Sequence, residues 1–141
     1  MLAIGATLAL AGCVAPPELP SLGLDGAVED AEYPEWLDDS VSLPSIGLTL
    51  LGEEGDMTAY ASRDENDNWC VIAIDAPSAT GNGDDWGASS SCVPPATFAS
   101  NGAMVSYSGG GRSGAHFLPP GYHEQLKAGW VRVSPQLAVK R

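Results

Sequence analysis

The side chains best equipped for chemistry in this 141-residue chain are Cys13, Cys70 and Cys92, His116 and His123, Ser113, and a set of 18 carboxylates. An imidazole works as a general base near neutral pH, but only with a nucleophile in hydrogen-bond reach and a group to orient it. His116 and His123 flank the turn Leu118-Pro119-Pro120-Gly121, and no spacing puts a nucleophile beside either. Ser113, within Gly111-Arg112-Ser113-Gly114-Ala115, lacks the final glycine of the nucleophile elbow and the strand-to-helix turn that the elbow requires. Adjacent carboxylates such as Glu53-Glu54 and Asp84-Asp85 point to opposite faces of a strand, so they make no dyad. No catalytic residue is assigned, and a surface or packing role is expected for both histidines.

Metal chemistry has two acidic stretches to consider. Asp64, Asn66, Asn68 and Asp75 fall at positions 1, 3, 5 and 12 of an EF-hand loop, but position 6, which needs Gly for its sharp bend, is Trp69. Turn formation alone accounts for Asp64-Glu65-Asn66-Asp67-Asn68. Asn82, Asp84 and Asp85 offer further oxygen ligands, and there a solvated loop is the expectation. The spacing of the thiols and imidazoles matches no zinc site. No metal and no cofactor is predicted.

The elements that carry these residues read as mainly β. MTAYASR (57–63) and WCVIAID (69–75), joined by the turn formers of 64–68, form the strongest hairpin signal in the chain. Gly47 to Leu51 supplies an earlier strand, with Glu53-Glu54-Gly55-Asp56 as its turn. APSATGNGDDWGASSS, which follows Asp75, is too polar and glycine-rich for a core element and reads as a loop. Pro95 to Asn101 is a short helix stopped by Asn101-Gly102. Strands are expected at Met104–Ser108, Ala115–Leu118, Trp130–Val133 and Leu137–Lys140, with Ser134-Pro135 as the turn between the last two. Tyr60, Trp69, Tyr107, Tyr122 and Trp130, on or beside these strands, read as packing aromatics. The fold class is a small, mainly β (α+β) domain, an antiparallel meander or sandwich with one short helix.

Charge narrows the partners. The net charge is −12, from 18 acidic and 6 basic residues, which disfavours phosphate backbones and anionic lipid surfaces, so nucleic acid is excluded as a partner. The distribution is uneven, −8 over residues 14–44, −8 over 45–92 and +4 over 93–141.

The chain opens MLAIGATLALAGCVA, an apolar run of 15 residues, shorter than the ~20 that cross a bilayer as a helix and suited to a signal-peptide core. Leu10-Ala11-Gly12-Cys13 resembles the bacterial lipobox, in which a cysteine after two small residues is acylated and becomes the first residue of the mature protein. Residues 1–12 contain no Lys or Arg, and a start upstream of Met1 would supply the usual positive charge. The resemblance implies a signal peptide over 1–12, a lipid on Cys13, and residence on the outer face of the cytoplasmic membrane. Two or three acyl chains, at about 0.8 kcal/mol per buried CH₂, make such an anchor effectively permanent. Residues 13–44 then form an acidic, proline-rich, disordered linker, in which Pro34-Glu35-Trp36-Leu37 can make one helical turn and Trp36 can dock on the domain. The domain follows at 45–141. With Cys13 acylated, Cys70 and Cys92 are left to pair in an oxidising exterior, closing a loop of 21 intervening residues.

Residues 45–141 also resemble a group of uncharacterised extracytoplasmic proteins from high-GC Gram-positive bacteria. The matching residues are Trp69-Cys70, Cys92-Val93-Pro94-Pro95, Phe98-Ala99, Gly102, Leu118-Pro119 and Trp130-Val131-Arg132-Val133. The resemblance implies a fold and carries no catalytic residue. The expected function is that of a surface-tethered, non-enzymatic lipoprotein, an interaction or binding module of the cell envelope. Its partners are the membrane, through Cys13, and an envelope protein or small ligand. The alternatives are a small extracytoplasmic hydrolase using His116 or His123, and a purely structural envelope protein.

Overall fold

The computed structural model describes residues 27–37, 41–75, 86–106 and 114–141. Cys13 and its lipobox, Asn82, Asp84, Asp85, Tyr107 and Ser113 lie outside these residues. The order is β1 (Ile46–Glu54), β2 (Met57–Arg63), β3 (Trp69–Asp75), β4 (Gly87–Val93), α1 (Pro95–Asn101), β5 (Ala103–Ser106), β6 (Gly114–Phe117), β7 (Trp130–Ser134) and β8 (Leu137–Lys140). Two four-stranded antiparallel sheets result, ordered β1-β2-β3-β4 and β5-β6-β8-β7. The fold is a small β-sandwich with one short helix.

Alternation along each strand builds the core. Met57, Ala59 and Ala61 of β2 and Trp69, Val71 and Ala73 of β3 face Ala103, Val105, Ala115, Phe117, Leu137 and Val139 of the second sheet. Small alanines opposite large rings let the layers interdigitate at native packing density. Helix α1 begins at a proline, whose missing N–H is no loss in the first turn, and its one buried residue is Phe98. Phe98 closes one end of the sandwich, its ring centroid 5.1 Å from that of Trp69 and 4.6 Å from that of Phe117.

The outer face of the first sheet carries a second apolar cluster, Leu48, Tyr60, Cys70, Ile72 and Ile74, which makes β3 buried on both sides. Residues 27–37 cover it. Val28 exchanges backbone hydrogen bonds of 3.0 and 2.9 Å with Leu50, and the Ala31 N–H donates to the Leu48 carbonyl at 3.0 Å. These bonds occupy the free edge of β1, which removes an exposed edge as well as a wet apolar face. Tyr33 packs edge-on against Tyr60, and its hydroxyl donates a hydrogen bond to the Pro44 carbonyl. Burial first, and the neighbouring Tyr60 second, raise the Tyr33 hydroxyl far above the ordinary tyrosine range. The segment read from composition as linker is therefore attached to the domain from Ala27 onward, over its described residues. The turn at Pro34–Leu37 forms, and Trp36 meets Trp86 at 5.8 Å between ring centroids.

Two expectations are corrected. Glu53 and Glu54 belong to β1, and the turn is Gly55-Asp56 alone. GASSS, read as loop, lies in β4, where β3 supplies the pairing and an edge position accepts small polar side chains on a half-buried surface. Cys70 and Cys92 stand opposite each other in that ladder and are disulfide-bonded, with Cα atoms 4.0 Å apart. Among the described residues no helix is long and apolar enough to cross a membrane.

Candidate functional site

The turn after β2 is a self-contained polar device. The Asp64 carboxylate accepts hydrogen bonds from the backbone N–H of Asn66 (2.8 Å) and of Asn68 (3.0 Å), and from the Asn68 side-chain amide (2.9 Å). The Asn68 amide foremost, with the two backbone donors, holds this carboxyl below its usual range against an opposing desolvation that outweighs either backbone bond alone. Asp75 ends the strand that starts at Trp69, about 20 Å away at ~3.3 Å per residue, so it cannot share an ion with Asp64. The ligand atoms of Asp64, Cys70 and Cys92 lie within 4.8 Å of one another, but both sulfurs are spent in the disulfide.

Beside this turn, a concavity of about 410 Å³ runs between residues 42–46 and 63–66. Its cation is committed to the fold, because the Arg63 guanidinium bonds Asp67 at 2.7 Å and lies over the Trp69 ring at 5.5 Å.

The outer face of the second sheet is different. Register places Met104, His116, Ala138 and Arg132 in one cross-strand row, and Ser106, Gly114, Lys140 and Trp130 in the next. Residues 118–129 return over this face and are pinned at several points. The Leu118 N–H donates to the Gln136 carbonyl at 2.8 Å, the Arg132 guanidinium to the Tyr122 carbonyl at 2.7 Å, and the Trp130 N–H to the Lys127 carbonyl at 3.1 Å. Between loop and sheet lies a pocket of about 490 Å³, lined among others by Met104, His116, Tyr122, Glu124, Lys127 and Trp130. That volume suits a small molecule.

His116 is the polar centre of the pocket and is only 5% exposed. Its Nε2 lies 2.7 Å from the Asn101 carbonyl oxygen, which can only accept, so Nε2 carries the proton. Burial lowers the imidazole pKa; the Asn101 bond opposes this shift and the Lys127 charge adds to it. The neutral ring then keeps a lone pair on Nδ1, which has no hydrogen-bond partner among the described residues. Tyr122 and Trp130 flank the imidazole at centroid distances of 5.9 and 5.8 Å, their planes 70° and 75° from its own.

Two glycines make room for this arrangement. Gly102 has φ +70°, and a Cβ there would collide with the Phe117 carbonyl oxygen and lie 2.9 Å from His116 Nε2. A Cβ on Gly114 would lie 2.7 Å from the Trp130 ring, so the indole rests on bare backbone. The site thus combines an unpartnered hydrogen-bond acceptor on a largely buried imidazole, two aromatic rings, an exposed ammonium and an exposed carboxylate. His123, the other candidate base, is exposed on the loop and does not line the pocket. No Ser, Thr or Cys stands among the described lining residues, so His116 has no such nucleophile to activate there.

The sequence suggests a surface or packing role for His116 and does not show its grouping with Tyr122 and Trp130. One signal was present, since Ala115-His116-Phe117 on a strand turns the histidine away from the face that buries its neighbours. The fold and site define a disulfide-stapled β-sandwich with a loop-covered pocket on the outside of its second sheet. Comparison of the chain with family models, curated proteins and solved structures gives no match.

Proposed function

We propose that the protein is a lipid-anchored, non-enzymatic binding module of the cell envelope. In this reading Cys13 holds it on the outer face of the cytoplasmic membrane, and the pocket over β6 takes a small envelope component. The observation that carries the binding role is the buried, neutral His116, whose Nδ1 is unpartnered beside two aromatic rings. A ligand donor placed against that lone pair would add a hydrogen bond with a net gain of about 0.5–1.5 kcal/mol. The lipobox and the disulfide support the location, since such bonds persist in oxidising compartments.

One experiment has two readouts. Protein extracted from membranes is weighed intact before and after reduction, with alkylation, and is then sedimented with delipidated cell-wall fragments beside a Trp130→Ala variant. The expected results are a mass starting at acylated Cys13, two thiols that alkylate only after reduction, and cosedimentation that the variant loses. An unprocessed chain overturns the anchor. Equal sedimentation of wild type and variant, or none by wild type, overturns the binding role.

A further inference from the structure

The chemistry of the pocket specifies a ligand class, on the reading above that the pocket binds. His116 Nδ1, with Nε2 committed to Asn101, accepts a proton and offers none, so the group next to it must be a hydroxyl or an N–H. A carboxylate or carbonyl at that place would leave two lone pairs facing each other.

The rings of Tyr122 and Trp130 add flat, electron-rich faces, which attract the partly positive C–H groups of a saturated ring. Lys127 brings an ammonium to the rim, near enough for its charge to bear on His116. It forms no ion pair among the described residues. A ligand anion would give it a charge-assisted hydrogen bond.

Glu124 lines the same pocket, and the whole chain carries −12, so a dianion is penalised where a monoanion is tolerated. Together these features ask for a compact ring with a saturated carbon face, at least one hydroxyl and a single negative charge. A phosphate carries too much charge, a neutral sugar leaves Lys127 unused, and an aliphatic acid presents neither ring nor hydroxyl.

We propose that the pocket binds a sugar acid, its ring against Trp130 and Tyr122, a hydroxyl donating to His116 Nδ1 and its carboxylate paired with Lys127. The test uses the full chain in detergent and titrates four probes, namely glucuronate, methyl glucoside, glucose 6-phosphate and 4-hydroxybenzoate. The resonances of the Trp130 indole and the His116 imidazole are followed by NMR.

Glucuronate is expected to bind at least about tenfold more tightly than the other three, and Lys127→Gln to remove that margin while leaving methyl glucoside unchanged. Because Lys127 is exposed, its replacement leaves the fold intact. Methyl glucoside, glucose 6-phosphate or 4-hydroxybenzoate binding as tightly as glucuronate overturns the assignment, as does a Lys127→Gln variant with undiminished glucuronate affinity. No response to glucuronate while Trp130-dependent sedimentation with cell wall persists overturns the ligand class alone. Loss of both overturns the binding role as well.

Discussion

The backbone of Gly102 lies directly under the imidazole of His116. Its left-handed φ of +70° and the absence of a Cβ let the end of α1 pass the ring and present the Asn101 carbonyl to Nε2 at 2.7 Å. The helix stop and the polar centre of the pocket are one structural unit. Gly102→Ala adds strain at positive φ and a collision with the rigid Phe117 carbonyl. The expected loss is about 2–4 kcal/mol in urea unfolding, together with displacement of the His116 ring resonances. An alanine variant as stable as wild type would disprove the contact.

Phe98 ties the helix to both sheets. It is buried between Trp69 and Phe117, where truncation leaves a hole that neither sheet can close by sliding. Phe98→Ala is expected to cost about 3–5 kcal/mol. Since Asn101 and Gly102 follow it in the same helix end, the variant is also expected to lose the His116–Asn101 bond, read as a further fall in the histidine pKa, because that bond opposes the lowering by burial. A destabilised protein with an unchanged His116 titration would separate the two effects and refute this coupling.

The disulfide joins neighbours in one ladder. Cys70 and Cys92 already face each other across β3 and β4, and their bond closes the chain over a separation of 22 residues. In the chain-entropy account, removing it with a Cys70→Ala/Cys92→Ala pair destabilises by about 3 kcal/mol, enough to lower Tm by more than about 10 °C in a domain of this size. Reducing agent is expected to lower Tm of the wild type similarly and to leave the double variant unmoved. A reductant-insensitive wild type would mean that the bond contributes nothing to the fold.

Much of this architecture was legible locally. β2, β3, β8 and α1 were bounded correctly, because their alternation, their turn formers at 64–68 and the Pro95 and Gly102 signals agree with the tertiary fold. The elements misread are those whose structure comes from a neighbour. β4 is a strand because β3 offers it hydrogen bonds, although its own serines carry no strand signal. Residues 27–37 are attached because Leu48, Tyr60 and Ile72 on the outer face of the first sheet need covering. The pocket was illegible for a related reason. His116, Tyr122 and Trp130 come together only when residues 118–129 fold back over β6, and the Gly114 position under the indole has meaning only in that register.

The final prediction concerns pH. Burial keeps the folded-state pKa of His116 below 6.5, its ordinary value, whereas the unfolded chain titrates near that value. Below about pH 6.5 the unfolded state therefore takes up a proton that the folded state refuses. Stability from this group is fully present above that pH and falls as pH drops toward the folded pKa, levelling once both states are protonated. The groups facing the ring are the Lys127 ammonium, which pushes in the same direction, and the Glu124 carboxylate in the pocket lining. Unperturbed carboxylates titrate near pH 4, so the interval from about pH 5.5 to 7.5 reports on imidazole protonation. His123 is exposed on the loop, outside the pocket. Urea midpoints measured across that interval should fall on acidification in the wild type and stay flat in His116→Gln, whose amide can still donate to Asn101. His123→Gln should keep the wild-type slope, and a slope that followed His123 instead would show that His116 is not the buried titrating group.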